Sequence, residues 1–174
     1  MATSKTSDPS TPAAAATSTV RLYVPRDSAA RAVGADAVAA ALAAQCKARG
    51  RDVEIVRNSS RGLFWLEPLL EVETASGRVA YGPVAADDVA GLLDAGLLEG
   101  GTHALGHGPT EAIPYLAKQQ RVTFARMGLG DPLDLAFYEA HEGFAGLRAA
   151  VTMAPAAIVQ QVLDSGLRGR GGAA

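Results

Sequence analysis

The residues best suited to chemistry lie at one end of the chain, where Ser165-Gly-Leu-Arg-Gly-Arg-Gly-Gly-Ala173 carries four glycines and two arginines directly after an apolar periodic segment. Glycine lets the backbone approach a ligand closely and adopt positive φ, while successive free N–H groups and arginine forks supply contacts to anions. That combination suits wrapping of a phosphate-bearing cofactor. A Gly/Arg-rich tail with no ligand accounts for the same composition, and the string alone leaves both readings open. His103 and His107 stand four apart, a spacing that brings two imidazoles to one face of a helix for a metal. The glycines around them and Pro109 argue against a helix there, no third ligand stands nearby, and linker histidines are the default reading. His141, in His141-Glu-Gly-Phe144, is read as a helix-capping or surface residue, and no nucleophile, base and orienting acid can be picked out.

The composition narrows the field. At 174 residues the chain has material for one ordinary domain, or for a small domain and part of another. A formal net charge of −2 gives no electrostatic ground for a nucleic-acid or anionic-membrane partner. No apolar run approaches the length of a membrane span and no secretory signal is visible, so the expectation is a soluble, cytoplasmic protein. The single cysteine, Cys46, excludes an internal disulfide and any cluster held by several cysteines of this chain. It falls in register with Val38 and Leu42, the place of a small buried side chain.

The elements that must position these groups follow from periodicity. Residues 1–18 are almost entirely Ala, Ser, Thr and Pro, and read as a disordered tail; a transit peptide is disfavoured because the first 20 residues hold Lys5 but no arginine. Val20-Arg-Leu-Tyr-Val24 alternates like a strand, a polar loop follows, and an alanine-rich helix is predicted over 34–48. Strands are predicted at Val53–Val56, Leu69–Thr74 and Val79–Tyr81, the last two joined by a turn at residues 75–77, with a helix over 86–95. The order β-α-β-β-β-α is that of a thioredoxin-like α/β sandwich with a mixed sheet, spanning 19–100. Residues 101–120 are read as a linker with a short helix at 110–118, and a second unit over 121–174 as a strand at Val122–Ala125 followed by helices at 135–140, 143–151 and 155–164. Pro155 suits the first turn of the last helix and Gly166 its end.

The glycine-rich string at 165–173 resembles the loop of the flavoprotein that carries FMN and NADH in respiratory complex I and in related soluble dehydrogenases. The stretch Arg121-Val-Thr-Phe-Ala-Arg-Met-Gly-Leu-Gly-Asp-Pro132, with Tyr138 and Gly143-Phe-Ala-Gly-Leu147, is similar in order and spacing to the opening of that family. The resemblance assigns Gly169, Arg170, Gly171, Gly172 and Ala173 to the flavin–nicotinamide site. In the family the loop runs on into an aromatic residue, then Pro, Thr, Gly and a Lys-Trp pair, so the expectation is that this chain is the N-terminal portion of a longer subunit.

The first unit resembles the thioredoxin-like ferredoxin domain that accompanies that flavoprotein. Where the family places its first two cysteines, this sequence has Pro25 and Ala30, before the retained Gly34-Ala35; Ser60-Arg-Gly62-Leu-Phe64-Trp-Leu-Glu-Pro68 keeps the spaced glycine and proline but has Ser60 and Phe64 at the other two ligand positions. The resemblance therefore implies no [2Fe–2S] cluster here. Phe64 and Trp65 either fill the vacated volume or present an anchor to a partner. Fusion of such a domain to the flavoprotein opening, with Val24-Pro-Arg-Asp-Ser28, Arg57-Asn-Ser-Ser-Arg61 and Tyr81-Gly-Pro-Val84, is most similar to the β subunits of soluble molybdenum-containing NAD-dependent formate dehydrogenases, and next to the diaphorase subunits of NAD-reducing hydrogenases. The resemblance implies FMN, NAD and a [4Fe–4S] cluster in the complete subunit, and as partners a molybdenum-bearing catalytic subunit and a small ferredoxin-like subunit. A docking module without redox activity is the reading from a different class.

Overall fold

The computed structural model describes residues 19–169, 171 and 172. The tail reading for 1–18 lies outside these residues. β1 (Val20–Tyr23) is followed by α1 (Ser28–Ala32), α2 (Ala35–Ala48) and β2 (Val53–Val56), and β1 and β2 run parallel, as a helical crossover requires. β3 (Leu70–Thr74) and β4 (Gly77–Tyr81) form an antiparallel hairpin across Ala75-Ser76, with Gly77 at φ +113°. α3 (Val89–Asp94) then packs back on the sheet. β5 (Gly106–Pro109) closes a five-stranded mixed sheet in the order β2-β1-β3-β4-β5. The first four strands with their crossover and the helix after β4 reproduce the thioredoxin-like α/β arrangement expected from the sequence.

Strand alternation sorts the side chains onto two faces. Leu22, Val24, Leu70, Val72 and Tyr81 meet Val38, Leu42 and Cys46 of α2 and Val89 and Leu92 of α3 in the main core. On the reverse face, Ala80 joins Leu63, Leu66, Leu69, Ile113 and Leu116 in a smaller cluster. The rest of that face carries Arg21, Tyr23, Glu71, Glu73 and Arg78, all in ion pairs or hydrogen bonds.

Three local expectations are corrected. Residues 28–32 are helical, not loop, because Asp27 caps them by accepting from the Ala30 amide at 3.3 Å. The stretch 101–120 carries the short helix expected at 110–118, as helical turns at Thr110–Ala112 and Pro114–Ala117, but is more than a linker: it supplies β5, and Thr110, Ile113 and Leu116 are buried behind it. Gly106-His-Gly-Pro109 has no strand propensity of its own and pairs because β4 offers it a free edge. Val122–Ala125 is a turn whose hydrogen bonds are local, Ala125 N–H to the Val122 carbonyl at 3.4 Å and Met127 N–H to that of Phe124 at 3.0 Å. Four alternating residues hold strand geometry only beside a partner strand, and among the described residues none pairs with them.

Beyond residue 130 the described chain is helical: α5 (Leu135–Ala140), α6 (Ala145–Ala150) and α7 (Pro155–Asp164), following α4 (Pro114–Ala117). Leu147, Val151, Val159, Val162 and Leu163 are all exposed. Among the described residues no helix is long and apolar enough to cross a membrane.

Candidate functional site

The loops after β1 and β2 meet where the resemblance places cluster ligands. Asp27 ties them together: while one carboxylate oxygen caps α1, the other accepts the Ser60 amide at 2.6 Å. Ser60 Oγ donates to Glu67 Oε1 at 2.6 Å and accepts the Gly62 amide at 3.0 Å, and Glu67 Oε2 accepts the Leu69 amide at 3.0 Å. Of the four positions, Pro25 and Ala30 are buried, the Ser60 hydroxyl is committed to Glu67, and Phe64 points to solvent. Proline, alanine and phenylalanine offer no ligating atom, so these residues do not fit an iron–sulfur cluster. Burial pushes the Glu67 carboxyl above its ordinary range; the Ser60 and Leu69 hydrogen bonds pull the other way without cancelling it.

Beside this loop lies a buried charge network. Arg61 makes a two-pronged contact with Glu71, Nε to Oε1 at 3.0 Å and Nη2 to Oε2 at 2.8 Å, both side chains being 1% exposed. Its Nη1 reaches Glu111 at 2.5 Å, whose side chain is 68% exposed. Burial depresses the Arg61 pKa, and the Glu71 and Glu111 carboxylates more than offset it, so the guanidinium stays charged. Arg78 Nη1 stands 3.6 Å from Glu71, its guanidinium carbon lies 3.3 Å from the Tyr23 ring centroid, and it donates to the carbonyls of Gly128 at 2.7 Å and Leu129 at 2.5 Å. The Gly128 carbonyl also accepts from Asn58 Nδ2 at 3.0 Å, and its amide donates to Ser59 Oγ at 2.9 Å. Arg26 pairs with Asp131 at 3.3 Å. A cavity of about 240 Å³ opens at this junction, lined by Ser59, Met127, Gly130, Phe137 and Tyr138 among others.

The predicted cofactor loop is displayed rather than enclosed. Gly169, Gly171 and Gly172 are exposed, and Arg170 and Ala173 lie outside the described residues. Local hydrogen bonding shapes the approach to the loop, with Ser165 Oγ donating to the Val162 carbonyl at 2.7 Å and accepting the Leu167 amide at 3.2 Å. Gly172 has φ +93°, which favours glycine, and a Cβ at Gly171 or Gly172 would meet no atom within 4 Å. An open glycine backbone fits close approach of a phosphate-bearing group.

Other expected residues have plain roles. His107 Nε2 donates to the Gly82 carbonyl at 2.8 Å in the tautomer this contact selects, His103 Nδ1 accepts the Leu105 amide at 3.2 Å, and His141 Nδ1 lies 2.8 Å from the Phe137 carbonyl. Among the described residues no cluster of His, Cys, Asp and Glu could hold a metal. Cys46 is fully buried, and burial pushes its thiol pKa up. Phe64 and Trp65 are 66% and 59% exposed, so they do not fill the vacated volume; the fully buried Leu63 packs in the reverse-face cluster instead. Trp65 meets Tyr115 edge-to-face at 5.2 Å. Residue-by-residue reading missed Arg61, Glu71, Arg78 and Gly128, although carboxylates at alternate positions of Leu70-Glu-Val-Glu-Thr74 mark a charged sheet face.

Fold and site together define a thioredoxin-like α/β domain, with no cysteine where the resemblance places cluster ligands, joined to a glycine-punctuated helical segment. No family model matches the chain. Over 56 residues it is 46% identical to the NADP-reducing hydrogenase subunit HndC of Solidesulfovibrio fructosivorans, covering 32% of this chain and 11% of that protein. Over 36 residues it is 58% identical to a subunit of the NADH-quinone oxidoreductase of Streptomyces coelicolor, covering 21% of this chain and 8% of that protein. The chain thus spans about a tenth of the length of the curated relatives it matches, both of which are oxidoreductase subunits. Among solved structures, the thioredoxin-like [2Fe–2S] ferredoxin from Aquifex aeolicus aligns with TM-score 0.43 and 18% identity, over 52% of this chain and 97% of that one.

Proposed function

We propose that this chain belongs to an NAD-linked flavoprotein subunit, and that its complete form passes electrons from formate, oxidised at a molybdenum-bearing partner, through iron–sulfur centres and FMN to NAD⁺. The observation that carries the oxidoreductase reading is the pair of short matches to the hydrogenase and quinone-oxidoreductase subunits. The formate assignment rests on the union of a cysteine-poor first unit with the motifs at 121–132 and 165–173. When bound, FMN supplies exchange between single electrons and a hydride. The part of this chain is to present backbone: Gly169, Gly171 and Gly172, with Arg170 and Ala173, form the stretch assigned to cofactor contact. An NAD(P)-reducing hydrogenase diaphorase is the second reading, favoured by the match to the hydrogenase subunit.

The test is Gly171→Val in the full-length subunit. A Cβ at 171 meets nothing within 4 Å in this chain, so the substitution is directed at a ligand lying against the loop, and far-UV circular dichroism and flavin content check that the variant is folded and loaded. NADH-dependent reduction of an artificial acceptor should largely disappear, while formate still reduces the centres of the partner. Full activity in a folded, flavin-loaded variant removes the loop assignment. A wild-type complex that ignores formate and responds to hydrogen moves the reading to the hydrogenase diaphorase.

A further inference from the structure

We infer that the loop Asn58–Arg61, at the place of a cluster-ligand loop, is a receptor for the turn Met127–Asp131 of the same chain, and that Gly128 is the residue that makes the turn recognisable. The loop of a metal site needs side chains that ligate. This one carries side chains that recognise a backbone. The Gly128 carbonyl accepts from Asn58 Nδ2 at 3.0 Å and Arg78 Nη1 at 2.7 Å, and its amide donates to Ser59 Oγ at 2.9 Å, so both peptide groups flanking its Cα are held by the first unit. The Leu129 carbonyl takes the second prong of Arg78 at 2.5 Å. Since these contacts reach only main-chain atoms, the receptor selects conformation and size at position 128 rather than side-chain chemistry. Glycine meets both demands: φ is +79°, and a Cβ would overlap Cδ and Nε of Arg61. Arg61 cannot retreat, because Glu71 and Glu111 hold its guanidinium in the buried network.

The same arginines thus stabilise the site that lacks cluster ligands and form the wall against which the turn seats. Arg26 and Asp131 add one ion pair at the rim. By this account the first unit serves to hold the second in place. The inference stands on contacts within the chain and is independent of which substrate the complete enzyme uses.

The experiment is tryptic cleavage after the exposed Arg126, run on the full chain alongside amide hydrogen exchange of Leu22 and Val72 in the sheet. Gly128→Ala should accelerate cleavage by at least about 10-fold while the sheet amides exchange at the wild-type rate, since several hydrogen bonds are lost together at one opening. Ser59→Ala, which removes the acceptor for the Gly128 amide without touching Arg61, should accelerate it by several-fold. Gly146→Ala is the control: a Cβ there meets nothing within 4 Å, and cleavage should not change. Wild-type cleavage in both Gly128→Ala and Ser59→Ala overturns the inference. So does acceleration matched by equal loss of protection at Leu22 and Val72, because the substitutions then unfold the domain instead of releasing the turn. Neither readout uses NADH, flavin or formate, so either result leaves the proposed enzymatic function to its own test.

Discussion

Arg61 touches two carboxylates of opposite character, which allows one buried charge to be interrogated twice. Glu71 is 1% exposed and grips Arg61 with both oxygens, whereas Glu111 is 68% exposed and offers one. Replacing Glu71 by Gln puts an amide NH₂ against the guanidinium donors and leaves Arg61 and the nearby Arg78 without their shared anion. Breaking a buried pair from one side costs about 3–5 kcal/mol, because the remaining charge cannot return to water. Glu111→Gln loses a solvent-screened contact worth about 0–1 kcal/mol. At roughly 2–4 °C per kcal/mol for a chain of this size, Glu71→Gln should lower Tm by about 6–20 °C and Glu111→Gln by less than about 4 °C. Thermal unfolding followed by far-UV circular dichroism at neutral pH reads both. A third variant, Arg61→Met with Glu71→Leu, removes both partners and should recover part of the loss despite the deeper change, since fewer charges stay orphaned. Equal shifts for the two glutamines, or a larger one for Glu111→Gln, would refute the claim that burial governs this network.

Phe64→Ala should change stability by less than about 1 kcal/mol, because the ring is 66% exposed, whereas Leu63→Ala, next to it and fully buried, should cost about 2–5 kcal/mol; urea midpoints of the two variants compare them directly. Glu67→Gln concerns pH. The folded-state pKa of Glu67 is raised, so its contribution to stability is fully present below its unfolded pKa and is lost as pH rises through the folded value. A glutamine keeps the contacts, donating to Ser60 Oγ and accepting the Leu69 amide, and does not ionise. The stability of Glu67→Gln relative to wild type should therefore increase from acid to neutral pH; a relative stability that decreases over that interval contradicts the burial argument.

The sequence by itself determined what local patterns can encode. Alternation placed β1, β2 and the β3–β4 hairpin, alanine-rich periodicity placed α2, and Pro155 and Gly166 marked the ends of α7, because these signals depend on residues a few positions apart. It also settled that one cysteine cannot supply the ligands of a cluster. Tertiary structure decided the rest. β5 forms from glycines, a histidine and a proline only because β4 leaves an edge open, and Val122–Ala125 stays a turn because no edge among the described strands meets it. Position in three dimensions put Phe64 in water and Leu63 in the core, a choice invisible to residue type since both are apolar. The joint at Gly128 needed residues 58, 59, 61, 78 and 128 brought together from separate elements, and a buried arginine declares itself only when its carboxylates, distant along the chain, arrive beside it.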